Sequence, residues 1–154
     1  MKKVISAVLA ALSAGVLLCS CSGKDSDTPA AELLAAASES GVDFGELVKV
    51  EGSDIRYTYD LEESWYDDFA ASVAGNMAFA EEIVFVKASS EENVEKIQQA
   101  LETRLQSRKD TLQSYAPAEY DKLCSSEIKT RGRYVYLVVA EDSKKALKAA
   151  EKAF

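Results

Sequence analysis

Histidine is absent from the 154 residues, tryptophan occurs once, proline twice and cysteine three times. The missing imidazole removes the Ser-His and Cys-His nucleophile pairs, the H-E-x-x-H metalloprotease helix and any zinc set that draws on histidine. No glycine-rich phosphate loop and no G-x-S-x-G turn is present either. Positive charge is the scarcer sign, with 18 lysines and arginines against 26 acids and a net charge of −8. Such a surface repels the phosphates of nucleic acid, so no nucleic-acid partner is expected. Long hydrophobic runs are scarce too. Val4 to Leu18 is the one sustained stretch, and its fifteen residues fall short of the roughly 20 that span ~30 Å of hydrocarbon.

That run fits an export signal instead, with Lys2 and Lys3 before it and small residues after it. The stretch Leu18-Cys19-Ser20-Cys21 resembles the lipobox of bacterial lipoproteins: a branched apolar residue, two small ones, then the cysteine that is lipidated and becomes the new N-terminus. The register decides between the cysteines. Cys19 would have bulky Leu17 and Leu18 before it, whereas Cys21 follows the small Cys19 and Ser20. The resemblance implies a signal peptide over residues 1–20, a diacylglycerol on Cys21, and a protein held on the extracytoplasmic face of the cell membrane. Two acyl chains matter, because burial contributes roughly 0.8 kcal/mol per CH₂ and a single myristoyl-length chain binds only reversibly. Cleavage removes two lysines and no acid, which takes the net charge from −8 to −10. Cys124 is then the remaining thiol, and it reads as a small buried filler beside Leu123. With neither histidine nor Cys19 in the mature chain, no metal and no cofactor is expected.

Apolar residues at 47% and charged residues at 29% are ordinary globular values, and the length suits one core. Residues 21–29 read as a flexible tether and 30–154 as a single domain. Thr28 and Pro29 read as the cap and first turn of a helix that Gly41 closes. Residues 42–66 have no clean period and read as short helical turns and loop. Phe69–Val73 and residues 81–88 read as paired strands about a turn at Gly75-Asn76. Ser89 and Glu92 have capping-box spacing, and Val94, Ile97, Leu101, Leu105, Leu112 and Tyr115 then recur at helical spacing over about 25 residues. Pro117 ends that helix, and residues Ala116 to Ser126 read as a loop. EIKT and RYVYLVVA form a hairpin about Arg131-Gly132, and Asp142 or Ser143 caps a last helix. The expected class is α+β, an antiparallel sheet of about four strands with helices packed mainly on one face.

The strand EEIVFVKA, the helix NVEKIQQALETRLQSRKDTLQSY, the P-x-E-Y at Pro117–Tyr120 and the G-x-Y-V-x-L-V-V at Gly132–Val139 together resemble a family of small bacterial lipoproteins. These occur mainly in Gram-positive clostridia and their relatives and carry a domain of unknown function. The resemblance implies a lipidated, exported α+β domain and brings no catalytic residue.

Two clusters bear weighing as sites. Asp60, Glu62, Glu63, Asp67 and Asp68 lack the D-x-D-x-D-G spacing of a calcium loop and read as a solvated acidic stretch. Beside them Tyr57, Tyr59, Trp65 and Tyr66 offer aromatic rings among carboxylates, and Trp65 and Tyr66 are the candidate ligand-binding residues for a sugar or peptide. The expected function is a non-enzymatic binding or interaction module whose partner is a membrane or cell-wall component. The alternative is a hydrolase of extracellular polymer working through two carboxylates.

Overall fold

The computed structural model describes residues 26–154. The expected signal segment, Cys21 and the first part of the expected tether lie outside them. The elements in chain order are α1 (Ala30–Ser38), β1 (Leu47–Lys49), α2 (Ile55–Tyr59), a 3₁₀ turn (Glu63–Trp65), β2 (Tyr66–Ala74) and β3 (Glu82–Ala88). There follow α3 (Glu91–Leu112), α4 (Pro117–Ser125), β4 (Lys129–Arg131), β5 (Tyr134–Val139) and α5 (Ser143–Glu151). The class is α+β. The sheet has five strands rather than four, all antiparallel, in the order β1-β2-β3-β5-β4. The extra strand is β1, a three-residue edge from the stretch read as turns and loop.

Helices cover both faces of this sheet, not mainly one. Val84, Val86, Val135 and Leu137 pack with Ile97, Leu101 and Leu105 of α3 and Leu123 of α4, whereas Ile83, Phe85, Tyr134, Tyr136 and Val138 pack with Leu33 of α1 and Leu147 of α5. The reason lies in the central strands. All six residues of β5 are buried and only Lys87 breaks the run in β3. A strand apolar on both sides needs a layer on both sides, whereas a half-open sheet alternates apolar with polar.

Several local signals resolve differently from the sequence reading. Thr28 does not cap α1. Its hydroxyl donates to the Ala153 carbonyl, and the first helical N–H, on Ala30, bonds at 2.7 Å to the Asp68 carboxylate from β2. Ser89 turns back to the Ser64 carbonyl, so α3 opens one residue later, after Ser90, without a side-chain cap. Pro117 begins a helix instead of a loop, sitting in the first turn of α4, where its missing N–H has no partner to lose. Cys124, on that helix, is exposed rather than buried. Asp142 does cap α5, accepting from the Lys145 N–H at 3.1 Å. The β4–β5 turn places Gly132 at φ +54°, a conformation that costs residues with a Cβ and costs glycine little.

Residues 26–29 of the expected tether lie on the domain. Asp27 pairs with Lys87 at 2.8 Å and the Tyr134 hydroxyl donates to the Thr28 carbonyl. Both contacts fall at the end of the sheet where Lys87 and Tyr134 sit opposite one another in register.

Candidate functional site

The other end of the sheet, where β2 finishes, β3 begins and β5 finishes, opens into a cavity of 710 Å³. Its apolar wall is made by Phe44, Val48, Ala74 and Phe79. Phe44 is inserted into the core beside α1 and α5, whereas Val48 and Phe79 each remain 51% exposed. Large side chains left this open at a concave surface are what apolar binding sites are made of. Gly75 makes room for that wall: a Cβ there would lie 3.1 Å from Val48 Cγ2.

Phe79 belongs to the β2–β3 connection, and α3 and α4 hold that connection in place. Arg108 Nη2 donates to the carbonyls of Met77 at 3.0 Å and Phe79 at 2.7 Å, and Glu119 Oε2 accepts from the Ala80 N–H at 2.8 Å. Burial pulls the Arg108 guanidinium below its ordinary value, reinforced by the neighbouring Arg104 charge. Asn76 closes the turn locally by accepting from the Ala78 N–H at 2.9 Å.

The floor is ionic. Lys122 Nζ lies 2.6 Å from Glu81 Oε1 and 2.8 Å from Glu119 Oε1, with all three side chains at most 16% exposed. Burial on its own pulls the Lys122 ammonium down, but the hydrogen bonds it donates to Glu119 and Glu81 outweigh it and leave it above the ordinary lysine value. Around this closed triad stand Asp43, Glu46 and Glu141, none of which has a cation within ion-pair distance among the described residues. The cavity therefore presents five carboxylates against one ammonium, beside an apolar wall.

A second polar cluster lies next to it in the core. Glu82 follows Glu81 in the chain but faces α3, where its Oε2 accepts from Arg104 Nε at 3.3 Å and Nη2 at 3.1 Å. Arg104 also stacks over the Tyr59 ring at 5.6 Å. Tyr59 Oη and Glu82 Oε1 have no hydrogen-bond partner among the described residues. Burial, followed by the Glu82 charge, drives the Tyr59 phenol well above its usual value.

The aromatic candidates lie elsewhere. Trp65 and Tyr66 are half-buried against the α3-side core; Lys96 lies over the Trp65 ring at 5.8 Å and Tyr66 meets Phe69 edge to face at 5.4 Å. Neither lines the cavity at the sheet end. Tyr57 is exposed and Tyr59 buried, so the four rings do not make one platform. The neighbouring acids are dispersed among separate tasks: Asp67 pairs with Arg133 at 2.9 Å, Asp68 caps α1, and Asp60 takes a left-handed conformation at φ +56°. Among the described residues no group of three His, Cys, Asp or Glu side chains could hold a metal ion. Cys21, the expected lipidation residue, lies outside the described residues.

The floor residues escaped the sequence reading although one signal for them exists. Glu119 and Lys122 stand three apart, so helical spacing brings them together once residues 117–125 are read as a helix.

No helix among the described residues is long and apolar enough to cross a membrane. No curated protein and no solved structure matches the chain. One family does match, over residues 40–140, a stretch that contains all five strands together with α2, α3 and α4 and leaves α1 and α5 outside. On that match, the chain belongs to the family of the domain of unknown function DUF4358.

Proposed function

We propose that this is an exported lipoprotein, anchored through Cys21 on the extracytoplasmic face of the membrane, whose domain is a binding module working through the cavity at the sheet end. The observation that carries the binding part is the cavity itself, with Val48 and Phe79 held open above a floor of ions already paired with one another. A hydrolase working through two carboxylates needs one of them free to give a proton to its substrate. Glu81 and Glu119 share Lys122 and so serve to shape the site, which leaves Asp43, Glu46 and Glu141 as the carboxylates that a hydrolase would have to use.

The anchor reading rests on the order of basic start, apolar run, small residues and Cys21. Geometry makes the two parts compatible. Asp27 and Thr28 are held at the Lys87–Tyr134 end of β3 and β5, and the cavity lies beyond the Glu82–Val139 end, about 20 Å away along the strand. A domain tethered at the first end has room to keep its cavity clear of the bilayer. The test has two arms. Labelled palmitate should enter the wild-type chain and not Cys21→Ala, while Cys19→Ala should label normally. Hydrogen exchange on the full chain with cell-wall fragments and short peptides should show protection confined to segments 43–50 and 74–81 for the true ligand. Release of cleaved polymer, lost in Glu46→Gln or Glu141→Gln, would establish the hydrolase instead.

A further inference from the structure

We propose that the cavity takes an extended, basic segment of a partner polypeptide, which adds to the sheet along the free edge of β1; this rests on the binding-module reading above. The edge is defined by hydrogen bonds. Glu46 O accepts from the Gly75 N–H at 3.0 Å and the Val50 N–H donates to Ala71 O at 2.9 Å, with Val48 opposite Val73 between them. Antiparallel strands alternate, so Glu46, Val48 and Val50 face β2 while the N–H and C=O of Leu47 and Lys49 face outward. No backbone or side-chain partner meets those four groups among the described residues, and β1 is the last strand of the sheet. Glu46, Val48 and Lys49 are exposed there.

An unpaired edge of this kind is a template for another strand. A strand laid on it would send every second side chain to the side of Val48, which is a wall of the cavity. That alternation sets the ligand's chemistry: apolar side chains for the wall of Val48 and Phe79, and cations for Glu46, Asp43 and Glu141, the three carboxylates left unpaired around the floor. Other occupants fit less well. A second copy pairing through its own β1 would bring two acidic cavities together on chains of net charge −8. A neutral glycan would leave those carboxylates without a cation and the four backbone groups without the regular spacing that a peptide supplies.

The test uses the full chain in non-ionic detergent and a fluorescein-labelled hexapeptide, Lys-Val-Arg-Phe-Lys-Val, with Glu-Val-Glu-Phe-Glu-Val as its acidic counterpart. The basic peptide should bind saturably by anisotropy, weaken with salt, and slow hydrogen exchange in segment 46–50; the acidic peptide should not bind. Lys49→Pro removes one outward N–H and none that reaches β2, and should weaken binding about three- to tenfold. Glu46→Lys with Glu141→Lys should weaken it about tenfold or more. Equal binding of both peptides, or binding unchanged by Lys49→Pro, overturns the inference. So does a dimer of the chain alone that Lys49→Pro dissolves, which gives the edge to a second copy. If neither peptide binds while a wall fragment protects segments 43–50 and 74–81, the peptide inference falls and the binding module stands. Polymer cleavage with no protection by any probe removes both.

Discussion

Lys122→Met separates a structural ion triad from an incidental surface contact. The substitution keeps most of the side-chain volume and removes the ammonium between Glu81 and Glu119. Their nearest oxygens lie 2.6 and 2.8 Å from the same nitrogen, so they can be no more than about 5 Å apart. Two unit charges at that distance repel by about 3 kcal/mol at an effective dielectric of ~20. The lost charge-assisted hydrogen bonds work in the same direction, and breaking a fully buried pair costs about 3–5 kcal/mol. Because these side chains retain 10–16% exposure, the lower end applies, and the expected loss is about 3 kcal/mol at neutral pH.

Urea unfolding followed by the fluorescence of the single tryptophan, Trp65, measures this directly. Adding Glu119→Gln, which keeps an acceptor for the Ala80 N–H, should recover about 2 kcal/mol of the loss. A deficit under ~1 kcal/mol that Glu119→Gln does not change would mean that the triad is solvated and the cavity floor is not built as described.

Other measurements reach other parts of the molecule. Tyr136 is pushed up to about 12, by burial first and the Glu151 carboxylate second, and Tyr134 and Lys122 are also raised. Groups raised in the folded state stabilise it fully below their unfolded values of 10.0 and 10.5 and lose that contribution as pH climbs through the folded ones, so urea stability should fall steeply between pH 10 and about 12. A flat profile there contradicts the burial of these phenols. Leu101→Ala, at a fully buried α3 position, should cost about 2–5 kcal/mol in the same unfolding assay. Gly132→Ala should cost about 1 kcal/mol, because φ +54° is left-handed. Cys124 should react with a maleimide in the native protein as fast as in urea, and native protection of it would contradict its exposure.

How far the fold could be read from sequence depended on whether a segment's signal was local. The α3 stripe of Ile97, Leu101, Leu105 and Leu112 and the apolar strands β3 and β5 carry their own periods and lie where those periods place them. The second helical layer was visible in principle, in the unbroken burial pattern of β5, yet RYVYLVVA also fits alternating aromatics on one face, and nothing local separates the two. Caps failed where a distant residue took the role. Asp68, 38 positions from Ala30, displaces Thr28, and the Ser64 carbonyl draws away Ser89. Three residues are too few to show a period, so β1 exists as a strand only because β2 is beside it.

The cavity was out of reach for the same physical reason. Its parts come from the chain before β1, the β2–β3 connection, α4 and the end of β5, and in none of these segments is the composition unusual. Phe79 stands outside the core only because Arg108 and Glu119 clamp the connection that carries it, so the open wall is a product of helix packing rather than of local preference. The clustered aromatics at 57–66 suggested a site by density, but density in sequence is a poor guide where the chain turns sharply. Tyr57 and Tyr59 stand two apart on α2 and so face opposite ways, Tyr57 to solvent and Tyr59 into the core, and after Asp60 in a left-handed conformation the 3₁₀ turn at 63–65 leaves Trp65 halfway between. A site in this fold is assembled where strands end and connections meet, and the chemistry to look for there is a pair such as Glu119 and Lys122, one helical turn apart and facing an acid from another element.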